Sequence, residues 1–250
     1  MKAYAKANIF LKIIGFDLRS YHLLQSRFVL LKNIFDELEF SNEKYKDGFE
    51  IIGNFTQDTI IHKAYNELEN LGYANQLKDF FKDKSLKLTK NIPIGGGFGG
   101  SSTDAVTFLL MINEALNLKL SHQDLVNICQ KLGSDLVFFL SGYESANVSG
   151  CGEIIEYFED DFYNLNFVFP SIECSSAKVY QAFDNSQYDL KANLKLAKTL
   201  KTLKTSELLK FKNTDLNDLF APCVKIYPKM QFFFDNAYFL SGSGSGVFKA

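Results

Sequence analysis

Residues 3–13 alternate between apolar and polar, the two-residue period of a strand with one face in a core. Ala3, Ala5, Ala7, Ile9, Leu11 and Ile13 make the apolar face; Tyr4, Lys6, Asn8, Phe10 and Lys12 make the other. Lys6 and Asn8 therefore project side by side, and taken alone this segment predicts a solvated face for them. A loop with Gly15, Asp17 and Ser20 leads to Tyr21, His22 and an apolar run, read as a second strand returning on the first. A lone histidine such as His22 is by itself more readily structural than a ligand. Short bursts of alternation over 40–53 predict further strands. From 59 to 71 the period becomes helical, with Ile60, Ile61, Ala64, Leu68 and Leu71 inward and Asp58 as N-cap. Residues 75–83 read as a short helix or a charged connector.

Leu86, Leu88 and the β-branched Thr89 predict another strand, ended by Pro93. Gly95, Gly96, Gly97, Gly99 and Gly100 follow almost without interruption. Such a run lets backbone N–H groups turn inward and approach a ligand with no Cβ in the way. Ser101 and Ser102 then offer N-caps, Asp104 stands as the acidic partner of a capping box, and Ala105, Phe108, Leu109, Ile112 and Leu116 repeat at helical spacing. A donor-rich loop leading into a helix N-terminus is an anion site, and phosphate is the anion it suits. No Lys-Ser/Thr pair follows the glycines, so this is not a Walker A loop. Gly95, Gly97 and Gly100 satisfy the dinucleotide pattern G-x-G-x-x-G literally, but Glu114, the nearest acidic residue at the required spacing, falls inside the predicted helix. A plain flexible loop is the remaining alternative.

A second helix is predicted over 121–132, with Ser121 as N-cap, Asp124 in a capping box and Gly133 as its stop. Asp135 then stands directly before the apolar run 136–140, where a carboxylate needs a partner or a task, whether or not it also caps a turn of helix. Strands are predicted over 144–157, broken at Gly150 and Gly152, and over 164–169. Helices are predicted over 177–183 and 190–203, the latter with Lys191, Lys195, Lys198, Lys201 and Lys204 as a solvated face. Texture shifts near 155–170, a candidate domain boundary. The closing stretch YFLSGSGSGVF is read as two strands around a second tight loop in preference to a linker, because apolar residues flank it on both sides.

Composition narrows the classes. Hydrophobic content of 46% and charged content of 22% are those of a globular protein, and a net charge of −2 argues against nucleic-acid or anionic-membrane partners. Arg19 and Arg27 are the sole arginines, so an anion must be held by backbone N–H groups and lysines. The four cysteines are scattered without a C-x-x-C and there are three histidines, which predicts neither a zinc site nor a disulfide scaffold. No apolar run approaches the roughly 18 residues of a membrane helix and no leader pattern opens the chain, so a cytoplasmic location is expected.

Four separated motifs together carry a resemblance. Ala5-Lys6-Ala7-Asn8-Ile9-Phe10-Leu11 with the Tyr21-His22 that follows it, then Pro93 through Ala105, then Gly133-Ser134-Asp135, closing with Leu240-Ser241-Gly242-Ser243-Gly244, resemble in order the GHMP kinases, and among them the 4-diphosphocytidyl-2-C-methyl-D-erythritol kinases. The resemblance spans nearly the whole chain. It implies an α+β, two-domain architecture, ribosomal-S5-domain-2-like over 1–155 for ATP and ferredoxin-like over 156–250 for substrate, with the active site between them. The reaction it implies is transfer of the ATP γ-phosphoryl group to the 2-hydroxyl of the methylerythritol moiety, in isoprenoid precursor synthesis. Lys6 and Asp135 match the catalytic pair. Lys90, Pro93, Gly95, Gly96, Gly97, Gly99, Gly100, Ser101 and Ser102 match the ATP-phosphate side, with Mg²⁺ held mainly by the nucleotide and no dedicated metal site. Asn8, Tyr21, His22, Tyr180, Ser241 and Gly242 match substrate contacts, Tyr21, His22 and Tyr180 those of the cytosine. The implied partners are the two small molecules, with the chain a monomer or weak homodimer. Three departures stand out: Ser101 where the family writes Gly, Arg19-Ser20 where it writes Asp-Gly, and Thr59 where it often has Asn. Alternatives are a homoserine- or mevalonate-type kinase of the same superfamily, a non-catalytic nucleotide-binding module, or a Rossmann-type oxidoreductase.

Overall fold

The computed structural model describes residues 1–54, 60–93, 95–161 and 165–249. The elements run β1 (Lys2–Phe16), β2 (His22–Ser41), β3 (Ile51–Gly53), α1 (Ile60–Leu68), α2 (Ala74–Phe80), β4 (Ser85–Thr89), α3 (Gly100–Ala115), α4 (His122–Leu132), α5 (Leu136–Ser141), β5 (Ser145–Gly150), β6 (Ile154–Tyr157) and β7 (Asn166–Val168). Then come α6 (Ser176–Asp184), α7 (Leu190–Leu200), α8 (Thr205–Leu208), α9 (Asn213–Leu216), α10 (Phe220–Ile226), α11 (Gln231–Asp235), β8 (Phe239–Leu240) and β9 (Val247–Lys249). No helix among the described residues is long and apolar enough to cross a membrane.

The chain divides into two compact units that share β1 and β2. Met1–Ala5, Leu31–Ile92 and Gly100–Ser141 form one; Lys6–Leu30, Pro93–Gly99 and Gly142–Ala250 form the other. In the first unit β4 pairs antiparallel with the end of β2, Glu37 opposite Thr89 and Ser41 opposite Ser85, and parallel with β3. Ile61, Ala64 and Leu68 turn one apolar stripe of α1 into this core, while α3 is covered on all sides over 103–109. An aromatic cluster completes it: Phe49 stacks on Tyr65 at 4.3 Å and meets Phe81 edge-on at 4.7 Å. In the second unit the start of β2 pairs antiparallel with β5, which forms a hairpin with β6 through Gly150 (φ +69°) and Gly152 (φ +120°). A separate three-stranded sheet has the order β7-β9-β8. Its core includes Leu11, Val179, Phe183, Leu219, Phe220 and Val247.

Several expectations hold. Helix α4 has Ser121 as N-cap with both bonds of a capping box to Asp124. Most of the lysines expected on the solvated face of α7 are exposed. The closing loop is a tight connection between strands, fully covered, and not a linker. Of residues 75–83, those up to Phe80 belong to the helix α2 and 81–83 turn away from it.

Others are corrected. The polar face of β1 is not solvated: Lys6, Asn8 and Lys12 are each 2–3% exposed, as deeply covered as Ala3 or Ile13. Leu71 is 49% exposed, because a π-type turn over Glu69–Tyr73, with Gly72 at φ +96°, takes the chain off the helical repeat that buries Ala64 and Leu68. Gly133 ends α4 in extended backbone at φ 163°, not in a left-handed turn. Helix α3 already begins at Gly100, so Ser101 and Ser102 lie in its first turn, and Asp104 is no capping residue. Asp58, expected as an N-cap, and Thr59 lie outside the described residues.

Candidate active site

In the second unit three segments remote in sequence converge. The strand β1 supplies Lys6 and Asn8. Lys6 Nζ donates to Asn8 Oδ1 at 2.6 Å and stands 4.4 Å over the Phe28 ring. Asn8 Nδ2 donates to Ser26 Oγ at 3.0 Å, and the Asn8 backbone N–H to Ser241 Oγ at 3.1 Å. A buried ammonium and a buried amide are costly unless each polar atom is met, and here they meet one another and two hydroxyls. The closing loop brings Ser241 and Gly242, and Asn217 clamps it by donating to the Leu240 and Gly242 carbonyls, both at 2.9 Å.

The glycine loop is the third segment. Gly95, Gly97 and Gly99 have φ of +74°, +78° and +70°, the left-handed region that the glycine run predicts. Lys6 N–H donates to the Phe98 carbonyl at 3.0 Å, and Gly246 N–H to the Gly96 carbonyl at 3.0 Å. A Cβ on Gly97 would stand 2.6 Å from the Ser241 carbonyl oxygen, so only glycine lets the two loops touch. Pro93 belongs to the same unit, while Ile94 lies outside the described residues.

His22 and Tyr180 also meet in this unit, their rings 4.7 Å apart. Asp184 bonds His22 Nε2 at 2.7 Å and so fixes the imidazole against that ring. Tyr21 is turned outward, 62% exposed, with the Arg19 guanidinium 5.1 Å from its ring. Between them Ser20 takes φ +65°, the conformation for which glycine is suited. Asp17 steadies the turn by accepting from the Arg19 and Tyr21 N–H groups, both at 2.8 Å, and these bonds hold its carboxyl below the usual range. The expected result of Ser20→Gly is a gain of ~1 kcal/mol in a denaturant titration, since a non-glycine residue in this region costs about that much. A loss would show that the Ser20 hydroxyl holds the turn.

In the first unit Gly100, Ser101 and Ser102 open α3, and Ser101 is helical, so replacing a glycine there carries no left-handed strain. Lys90 is not an isolated cation. Its Nζ donates to Asp36 and, at 2.7 Å, to Asp104, both fully buried. Asp36 also accepts from the Asn91 and Ile92 N–H groups. One ammonium faces two carboxylates, an excess of one negative charge that a proton removes. Burial pushes the Asp104 carboxyl up to about 7, with Lys90 pulling it down and Asp36 pushing it further up. The folded chain therefore keeps a proton that an unfolded aspartate loses near 3.8, and stability falls as pH rises through the window between those values. The expected slope is on the order of 1 kcal/mol per pH unit, and Asp104→Asn flattens it in urea titrations at pH 4.5 and 7.5. An unchanged difference between the two pH values would show that Asp104 is ionised throughout. Asp135 stands half-buried immediately before α5.

The profile of the GHMP kinases N terminal domain matches residues 59–143. A 4-diphosphocytidyl-2-C-methyl-D-erythritol kinase of Campylobacter jejuni is 57% identical over 253 residues, covering 100% of this chain and 99% of its own length. The chain belongs to the 4-diphosphocytidyl-2-C-methyl-D-erythritol kinase family, a branch of the GHMP kinases. The member from Sulfurimonas denitrificans is 38% identical over 254 residues, with 99% of this chain and 95% of its own covered. A crystal structure of 4-(cytidine 5'-diphospho)-2C-methyl-D-erythritol kinase superposes with a TM-score of 0.72 at 24% identity over 99% of this chain and 88% of its own, so the fold is that of a GHMP kinase.

Against that kinase fold, sequence reasoning named Lys6, Asn8, Ser241 and the loop glycines but not the residues that hold them. Ser26, Asn217 and Asp184 left no signal, because each acts through a bond to a residue far along the chain.

Proposed function

We propose that the chain transfers the γ-phosphoryl group of ATP to the 2-hydroxyl of 4-diphosphocytidyl-2-C-methyl-D-erythritol. The observation that carries this reading is the buried Lys6–Asn8–Ser241 cluster lying against the first glycine loop, in a chain alike along its whole length to kinases of that name. A tertiary alcohol is a crowded nucleophile, so the enzyme must act by positioning and by neutralising charge. In this reading Asp135 takes the hydroxyl proton, Lys6 offsets the charge that grows on the transferring group, and Asn8 orients the alcohol. The backbone N–H groups of residues 95–100, with Ser101, Ser102 and Lys90, hold the ATP phosphates; Lys90 would do so with its charge already shared between Asp36 and Asp104. Ser241 and Gly242 face the substrate diphosphate, and Tyr21, His22 and Tyr180 its cytosine.

Mg²⁺ is part of the same proposal. Among the described residues no group of three or more His, Cys, Asp or Glu side chains could cage a metal, whereas the hydroxyls of Ser101 and Ser102 suit a hard cation carried in on phosphate oxygens. The ion would supply charge neutralisation at the β- and γ-oxygens. The division at 155 into an ATP-binding and a substrate-binding domain, action as a monomer or weak homodimer, and a cytoplasmic location complete the proposal.

The deciding experiment couples ADP release to a panel of alcohols. Turnover with the cytidyl-methylerythritol and none with homoserine or mevalonate is expected. Turnover confined to homoserine or mevalonate would overturn the substrate while leaving the kinase.

A further inference from the structure

Behind the closing glycine loop lie two thiols that nothing in the kinase reaction uses. Cys174, in the segment before α6, and Cys223, in α10, have their sulfurs 3.8 Å apart, although 49 residues separate them. Cys223 is fully buried, and Cys174 is 8% exposed. Both touch the loop: a Cβ on Gly244 would stand 3.0 Å from Cys223 Sγ and 3.5 Å from Cys174 Sγ. The other two cysteines have no such neighbour. Burial pushes the Cys129 thiol up to about 12, and Cys151 lies beside the Asp17 carboxylate at 3.9 Å.

We propose that Cys174 and Cys223 are a modification site, a dithiol that a hydroperoxide converts to a disulfide, and that its closure displaces the loop 241–246. The Cys174 thiolate attacks one oxygen of hydrogen peroxide, the O–O bond breaks, and a sulfenic acid and hydroxide result. Cys223 sulfur then attacks the Cys174 sulfur; the S–O bond breaks and the sulfenic oxygen leaves as water. Two thiols and one peroxide become one disulfide and two waters. Cys174 is the first attacker on two grounds. It is the one with access to solvent, and the Cys223 S–H donated to it favours its thiolate, while Cys223 is pushed the other way. A disulfide requires sulfurs at about 2.05 Å, so the pair must close by well over an ångström, and Gly244 is packed against both.

That closure lowers substrate affinity rests on the proposed role of Ser241 and Gly242, but the disulfide itself does not. The test treats the full chain with hydrogen peroxide and alkylates the remaining thiols under denaturing conditions. Two of the four thiols are expected to become unreactive, with a peptide map joining Cys174 to Cys223 and dithiothreitol restoring all four. Cys174→Ala and Cys223→Ala, each active before treatment, should yield no intramolecular link. In the wild type, KM for the alcohol should rise several-fold on oxidation and return on reduction, while both variants keep theirs. Oxidation of Cys151 alone, or sulfinic acid at Cys174 with Cys223 still free, would overturn the disulfide. A mapped disulfide with unchanged KM would leave the site standing and overturn its effect on the loop.

Discussion

Lys6→Met is expected to lower kcat by roughly 10²–10³-fold while the protein still folds, the loss typical when a charge aimed at the transition state is removed. Methionine keeps an unbranched stem of similar length and removes the ammonium that reaches Asn8 and stands over the Phe28 ring. Burial gives the effect its size, since a charge 3% exposed acts through a poorly polarisable surround rather than through water. Asp135→Asn is expected to cost a similar factor, and the two together little more than either alone, as groups serving one step do. Steady-state ADP release, with the thermal midpoint measured alongside, separates lost chemistry from lost folding. A Lys6→Met enzyme within threefold of wild type would remove Lys6 from the reaction, and additive losses would separate the two residues' tasks.

Gly97→Ala is the second large effect. The methyl group must enter a space 2.6 Å from the Ser241 carbonyl and 3.4 Å from that of Gly244, on a residue at φ +78°. Backbone strain alone costs about 1–2 kcal/mol. The contact adds a displacement of one loop from the other, and misplacing a site by about 1 Å can cost roughly 10²-fold in rate. Gly48→Ala is the control: its φ is +76°, but nothing lies within 4 Å of its Cβ, so the strain term appears without the kinetic one. Wild-type kcat/KM in Gly97→Ala would mean that the two loops work independently.

The outlines of this molecule were legible because they rest on local periodicities. The apolar face of β1, the amphipathic α1 and the capping box of α4 are each decided within a dozen residues. What was not legible depends on partners remote in sequence. Lys12 looked solvated by alternation, yet its ammonium pairs with Asp218, which also accepts from Ile13 N–H at 2.7 Å and Asn193 Nδ2 at 2.8 Å. Arg27 lies wholly inside, bonded to Asn147, Asp160 and the Lys201 carbonyl, though it sits in what reads as a plain apolar strand. Asp104 misled for the opposite reason: a local capping pattern was present, but a buried lysine outcompetes a helix end for a carboxylate. Helices α8 to α11 have four to seven residues each, too short for a 3.6-residue period to declare itself.

The strand β9 has a consequence for how the enzyme comes into being. It is the middle strand of its sheet, between β7 and β8, and Gly246 beside it donates to Gly96. On the ribosome the first glycine loop emerges early; Phe98 gains Phe167 and Phe169 before the helices α6 to α11 are made, but the Gly96 carbonyl waits for its Gly246 donor until they are complete. Residues 241–249 complete that contact only after everything between has been synthesised. A chain that lacks them has the glycine loop without the Gly246 N–H that meets its Gly96 carbonyl and without the backbone that lies against Phe98.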